Sequence, residues 1–262
     1  MITQRALSPV LVHLFRAPLP YAETLQLQER IHALQLRLRK EALTESSSGR
    51  RQTVDEISAD QTRLTQMGAD FVMSNRGGQL TYHGPGQLVG YPLWDLGRLS
   101  AEKRHVRVFV CDVLKALKRY MRERHGIQPA DANETGVFLN ESTKLASLGM
   151  QVRHRLTSHG FAVNIDRQPL PWFSQVVACG LADVRAGSVQ DASVRAESLT
   201  VHDEVPHVLD AFKTEFGRIF VPVDLSRDGE LENNVRQLEQ LGARLLQEQG
   251  LPEPPQFLPM SS

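Results

Sequence analysis

Two cysteines in 262 residues, Cys111 and Cys179, leave no material for a disulfide framework. That excludes the stapled secreted scaffolds and fits a reducing compartment. Net charge is lacking too: thirty bases balance thirty acids, so no bulk electrostatic attraction to nucleic acid is expected. No apolar run approaches the roughly 18 residues of a membrane helix, so no membrane partner is expected either. Met1 to Ser8 carry one arginine and no acid, too short a stretch for a targeting peptide, and no secretory signal is found. There is no internal repeat and no phosphate-cradling G-x-x-x-x-G-K-S/T run.

Glycine is present in excess at one place. Five glycines, one proline, an arginine and a Tyr-His pair fall within the fifteen residues from Arg76 to Gly90. Ala69–Asn75 before this stretch and Leu88–Trp94 after it read as short strands. Glycine lacks a Cβ and adopts positive φ, so such a segment lets backbone approach a ligand closely. The plainer reading is a hairpin whose glycines serve only its turn. Thr81, Tyr82, His83 and Gln87 add polar groups that a structural turn does not need, and two glycine clusters bracket Thr-Tyr-His, which favours a binding loop.

Around this loop the chain reads as a single α/β (α+β) domain, a mixed β-sheet flanked by helices. Val10–Phe15 predicts a strand. Leu25, Leu27, Ile31, Leu34 and Leu38 give residues 22–40 an inward helical face. Residues 41–61 are polar and predict a surface loop. Ser100 predicts the cap of a helix with Val106, Val110, Val113, Leu114, Leu117 and Met121 on its buried face. Arg107, Lys115, Lys118, Arg119 and Arg122 lie opposite, either as a solvated face or as a docking surface for an acidic partner. Cys111 sits among these bases in mid-helix, where no loop geometry can receive a substrate, and reads as structural.

Gly136–Leu139 and Lys144–Val152 predict paired strands joined by the turn Asn140–Thr143. Thr157–Ile165 predicts a further strand, and the stretch Val176–Leu181 opens with a short apolar strand that ends before Cys179. Val205–Phe216 and Leu231–Gln249 predict helices. This gives a catalytic domain over 10–223, a helical extension over 224–250 and an unfolded Pro-rich tail over 251–262.

Cys179 follows a short apolar run, and Gly180 leaves room for a substrate carbonyl close to the sulfur. A lone cysteine is more often a small buried hydrophobe. A nucleophilic one needs a base or a cation beside it. His83, His154 and His159 are available. So is Lys144, which opens the apolar run Leu145-Ala-Ser-Leu148, and a lysine drawn into an apolar cleft can accept a thiol proton. Residue types alone do not choose between lysine and histidine.

Four ordered stretches carry a resemblance. Arg76-Gly-Gly-Gln-Leu-Thr-Tyr-His-Gly-Pro-Gly-Gln87, Lys144-Leu-Ala-Ser-Leu-Gly149, Thr157-Ser-His-Gly-Phe-Ala-Val-Asn164 and Cys179-Gly-Leu181 resemble the motifs of the lipoyl(octanoyl) transferases. The resemblance covers about Val10 to Val223. It implies the fold of the biotin/lipoate protein ligase catalytic domain. It also implies octanoate moving from the phosphopantetheine of acyl carrier protein onto Cys179, then onto a lysine of a lipoyl domain, as in 2-oxoacid dehydrogenase complexes and the glycine cleavage H protein. Lys144 would hold Cys179 as thiolate and shuttle protons. Arg76, Gly77, Gly78, Gln79, Leu80, Thr81, Tyr82 and His83 would line the acyl site with Ala146, Ser147, Leu148, His159, Gly160 and Phe161. No metal and no cofactor of the enzyme's own would be needed. The compartment would be mitochondrial in a eukaryote and cytoplasmic in a bacterium.

The chain departs from the family pattern twice. Ala178 stands where the family has proline. Glu41–Ser48 cannot supply the apolar strand that the family places before a turn like Gly49-Arg-Arg-Gln52, which implies either a lost strand or a sequence incomplete at this point. Two other readings follow: an ATP-dependent lipoate or biotin ligase on the same fold, and an inactive module that binds lipoyl domains.

Overall fold

The computed structural model describes residues 9–39, 61–73, 80–99, 105–132, 134–174, 184–195 and 198–250. In chain order these form β1 (Val10–Val12), α1 (Tyr21–Arg39), α2 (61–66), β2 (Gln87–Gly90), α3 (Val106–His125), β3 (Val137–Asn140), β4 (Thr143–Arg153) and β5 (Leu156–Asn164). There follow α4 (Leu170–Phe173), β6 (Arg185–Ala186), α5 (Val189–Ala192), α6 (Val201–Phe216), β7 (Phe220–Pro222) and α7 (Glu230–Gln249).

The main sheet runs β2-β5-β4-β3 with antiparallel neighbours, and β6 adds to β4 in parallel, so the sheet is mixed as expected. A separate parallel ribbon joins β1 to β7 with Val10 opposite Phe220. The β4–β5 hairpin is the long central ribbon. Its two-residue loop, His154-Arg155, takes φ of 52° and 63°, the left-handed pair that matches the twist of flanking strands. Every residue of β5 is buried. It lies between β2 and β4, with α1 packed on it and Phe161 stacked on Phe212 of α6 at 5.3 Å.

An aromatic cluster fills the space between sheet and helices. Trp94 meets Phe216 edge-on at 4.5 Å and Phe109 at 5.5 Å, while Phe212 stacks on Phe216 at 5.7 Å. Beside it Glu204, fully buried, accepts from the Tyr120 hydroxyl at 2.9 Å, lies 3.0 Å from His125 Nε2 and pairs with Arg124 at 3.3 Å. This knot ties α3 to α6 and satisfies a charge that could not otherwise be buried.

Several expectations change in detail. Leu88–Trp94 pairs as a strand only to Gly90. Beyond it the Thr157 hydroxyl accepts from the Trp94 N–H at 2.7 Å, so a side chain replaces a ladder bond. Residues 69–73 form no strand, and 74–75 lie outside the described residues. The Ser100 cap lies outside them as well. α3 starts at Val106 behind His105, whose side chain makes no cap, and Val106 is exposed; Phe109, Ala116 and Tyr120 join its buried face instead. α6 begins a turn before Val205, because the Thr200 hydroxyl accepts from the Asp203 N–H. The loop over 41–60, the lost strand, the run Val176–Leu181 and the tail also lie outside the described residues.

The largest difference is in α1. Its inward stripe is polar: Tyr21, Gln28, His32, Gln35 and Arg39 recur at helical spacing, while Leu38 is 66% exposed. Gln28 accepts from the His159 N–H, His32 Nε2 approaches the Arg153 carbonyl, and Gln35 donates to the Leu93 carbonyl. Arg39 donates to the His154 carbonyl and to Asp95. Burial alone would raise the Asp95 carboxyl, but hydrogen bonds from Arg39 and the Gly97 N–H, with the Arg39 and Arg98 charges, hold it below the usual range. α1 is thus fastened to backbone groups that the sheet leaves unpaired, and apolar periodicity does not report such a face.

Candidate active site

The glycine loop is anchored through its own side chains. Gln87, nearly buried, donates from Nε2 to Asn164 Oδ1 at 2.8 Å, and its Oε1 accepts from the Gly84 N–H at 3.2 Å. His83 Nδ1 lies 3.3 Å from the same oxygen. Asn164 then donates to the Gly187 carbonyl at 2.9 Å, and the Gly187 N–H donates to the Lys144 carbonyl at 2.9 Å. One polar chain therefore runs from the loop across β2, β5 and β6 to the backbone of Lys144. A buried network of this kind fixes geometry when every member is satisfied.

Tyr82 closes the loop against α4. Its ring stacks on Trp172 at 5.2 Å and meets Phe173 edge-on at 5.9 Å, and burial pushes its phenol up to about 12. Tyr82 therefore stays a neutral phenol at physiological pH. Thr81 Oγ1 is buried with no hydrogen-bond partner among the described residues. α4 leads directly towards residue 179 in the chain, although Cys179 itself, like Arg76, Gly77, Gly78 and Gln79, lies outside the described residues.

Lys144 sits on β4 with only 9% of its surface exposed. Its Nζ lies 5.1 Å from the centroid of the Phe138 ring, a cation–π contact. Space for the side chain comes from Gly136: a Cβ there would fall 2.4 Å from Lys144 Cε and 2.7 Å from the Ala146 carbonyl. Gly136→Ala, at φ +147°, is therefore expected to push the lysine aside and lower acyl transfer by about ten- to a hundredfold. Measuring kcat beside Tm tests this; unchanged kcat would show that the lysine has another place to go.

Ala146, Ser147 and Leu148 pair with Val163, Ala162 and Phe161. Gly160 is required by close approach, since a Cβ would lie 1.9 Å from the Gly90 carbonyl oxygen. His159, 3% exposed, holds φ +58° within an otherwise extended strand, a conformation costing a non-glycine residue roughly 1–2 kcal/mol. Tyr21 links the two histidines of the site: its hydroxyl is 3.0 Å from His159 Nδ1 and its ring centroid 6.1 Å from that of His83. The structure thus brings Leu80–His83, Ala146–Leu148 and His159–Phe161 onto neighbouring segments, with Lys144 at the start of the same strand. His154 is placed elsewhere, in the hairpin loop, with both ring nitrogens buried and without hydrogen-bond partners among the described residues.

Tyr21 and Gln28 were not legible as site residues. The available signal was the 3–4 spacing of polar residues on α1. On α3, Cys111 is exposed. Lys115, Lys118 and Arg119 pair with Asp112, Asp131 and Glu123, so a docking surface there would rest on Arg107 and Arg122.

The same arrangement of helices over a mixed sheet recurs in solved lipoate-protein ligase structures. Lipoate-protein ligase A, solved with ATP, superimposes with a TM-score of 0.56 at 14% identity, over 93% of this chain and 95% of that one. A T. acidophilum protein solved with lipoic acid gives 0.58 at 13% identity, over 94% and 100%. Residues 45–216 match the lipoyl protein ligase A/B catalytic domain, and the chain belongs to that family.

Within the family it is 34% identical over 158 residues to the mitochondrial octanoyl-acyl-carrier-protein:protein N-octanoyltransferase LIPT2 of Danio rerio, covering 60% of this chain. It is 32% identical over 209 residues to the octanoyltransferase of Caldicellulosiruptor saccharolyticus, covering 76% of this chain and 86% of that one. It spans 67% of the Danio rerio protein and 62% of the corresponding Xenopus tropicalis protein.

Proposed function

We propose that the chain is an octanoyltransferase, moving octanoate from acyl carrier protein to a lysine of a lipoyl domain through a thioester on Cys179. The observation that carries this reading is the identity of about a third with octanoyltransferases from both vertebrates and bacteria. The buried Lys144 beside the predicted acyl-binding segments supports it. The Cys179 thiolate attacks the octanoyl thioester carbonyl, a C–S bond forms, and the phosphopantetheine thiolate leaves and takes up a proton. The incoming lysine amine then attacks the new thioester, loses a proton to the Lys144–Cys179 pair and departs as an amide, restoring the thiol. One thioester is exchanged for another and then for an amide, so no nucleotide is consumed.

The acidic carrier and the lipoyl-bearing proteins of 2-oxoacid dehydrogenases and glycine cleavage are the partners. The site of action is mitochondrial in a eukaryote and cytoplasmic in a bacterium. Incubation with octanoyl-acyl carrier protein without ATP, followed by intact-mass spectrometry, should show one octanoyl group on the enzyme that passes to an added apo lipoyl domain. Transfer of free octanoate only with ATP would instead make it a ligase. Binding of a lipoyl domain without either reaction would make it an inactive relative.

A further inference from the structure

α1 contributes to the site although none of the four motifs lies on it. In a regular strand, residues i and i+2 share a face. His159 and Phe161 meet different helices: the Phe161 ring stacks on α6, while the His159 ring bonds to Tyr21 of α1. His159 holds a positive φ at this point of the strand. Its N–H donates to Gln28 Oε1 at 2.6 Å. Tyr21 takes the ring at Nδ1, so backbone and side chain of one residue are held by two residues seven apart on one helix. Gln28 is 2% exposed, and its Nε2 has no hydrogen-bond partner among the described residues. A glutamine retained in the interior with half its amide unsatisfied stabilises the fold poorly. Its value lies in the bond to His159.

We propose that Gln28 and Tyr21 are positioning residues of the acyl-transfer site, acting through His159 by holding it in the left-handed conformation and fixing its ring. The proposal rests on the octanoyltransferase reading above. Without the Gln28 acceptor, the His159 N–H loses its partner and residue 159 can relax to extended backbone, carrying the imidazole away from Tyr21. Without the Tyr21 hydroxyl, the ring loses its fixed rotamer.

The test combines a double-mutant cycle with NMR of the unliganded protein. Gln28→Met and Tyr21→Phe are made alone and in a His159→Ala background. Each single change is expected to shift the His159 ring resonances, lower kcat about ten- to a hundredfold with KM nearly unchanged, and move Tm little. In the His159→Ala background neither should have a further effect on kcat. Equal losses with and without His159, or ring resonances that stay in place, overturn the proposal. If Gln28→Met fails to fold, Tyr21→Phe, which removes one oxygen, decides by the same criteria. A wild-type enzyme that transfers no octanoate overturns the function itself, and the resonance shifts then still decide whether the clamp on His159 exists.

Discussion

Replacing Cys179 with alanine is expected to eliminate octanoyl transfer, lowering kcat by a factor on the order of 10⁴ or more, while the far-UV circular dichroism and Tm stay those of the wild type. The same substitution at Cys111 should change neither. Cys111 is exposed on α3, and three of the bases near it are paired with acids of the protein itself. Intact mass after exposure to octanoyl-acyl carrier protein separates the two: the Cys111→Ala enzyme gains the acyl group, and the Cys179→Ala enzyme does not. Full activity in Cys179→Ala would end the covalent mechanism and leave direct transfer between the two substrates.

The second large effect is expected at Lys144. Lys144→Met should lower transfer by about 10²–10⁴-fold, because the incoming amine must lose a proton and the thiol must be held ionised. It should also move alkylation of Cys179 by iodoacetamide up in pH, towards the free-thiol value of about 8.5. Lys144→Arg keeps the charge without a proton that can be given up. It must also fit a larger head group into the space between Gly136 and Phe138, where even a methyl on residue 136 would meet Lys144 Cε at 2.4 Å. Methionine is therefore the cleaner replacement. His83→Asn and His159→Asn should impair turnover while leaving the pH profile of alkylation in place. A histidine variant that shifts the profile, with Lys144→Met leaving it alone, would replace the lysine by a Cys-His pair.

Much of this site could be read along the chain, because the residues that touch it cluster in short glycine-rich runs. The pairing of β3 with β4 across Asn140–Thr143 follows from turn chemistry and β-rich composition and is present, whereas β5 is legible as a strand but not its pairing with β4. Gln87 stood out as a polar residue without a structural duty in a turn, and its bond to Asn164 gives the duty. The helices α6 and α7 were also legible. The apolar pattern places the start of α6 at Val205, while Thr200 and its bond to Asp203 set the true start.

What could not be read is α1. Leucine periodicity assigned it an apolar seat, whereas Gln28, His32, Gln35 and Arg39 face the sheet and satisfy its carbonyl and N–H groups. The His159 N–H stands where β5 turns left-handed, the Leu93 carbonyl lies beyond the end of β2, and the Arg153 and His154 carbonyls lie at the hairpin loop. No local pattern in α1 announces them. The motif residues are named by the family resemblance, and their supports are not, since a support is defined by what stands opposite it in space.

The ribbon of β1 and β7 has a consequence for how the chain comes into being. Val10 and Phe220 are neighbours in space and about 210 positions apart in sequence. At synthesis rates of about 5–20 residues per second, the first strand waits on the order of 10–40 s for its partner to be made. During that time Val10–Val12 has an open edge, and Leu11, 52% exposed even in the finished protein, has no cover. The central hairpin, by contrast, closes over two residues. Nascent chains should therefore carry a settled β4–β5 ribbon and an uncovered β1, and a holdase that masks Val10–Val12 until translation passes residue 222 would suit this topology.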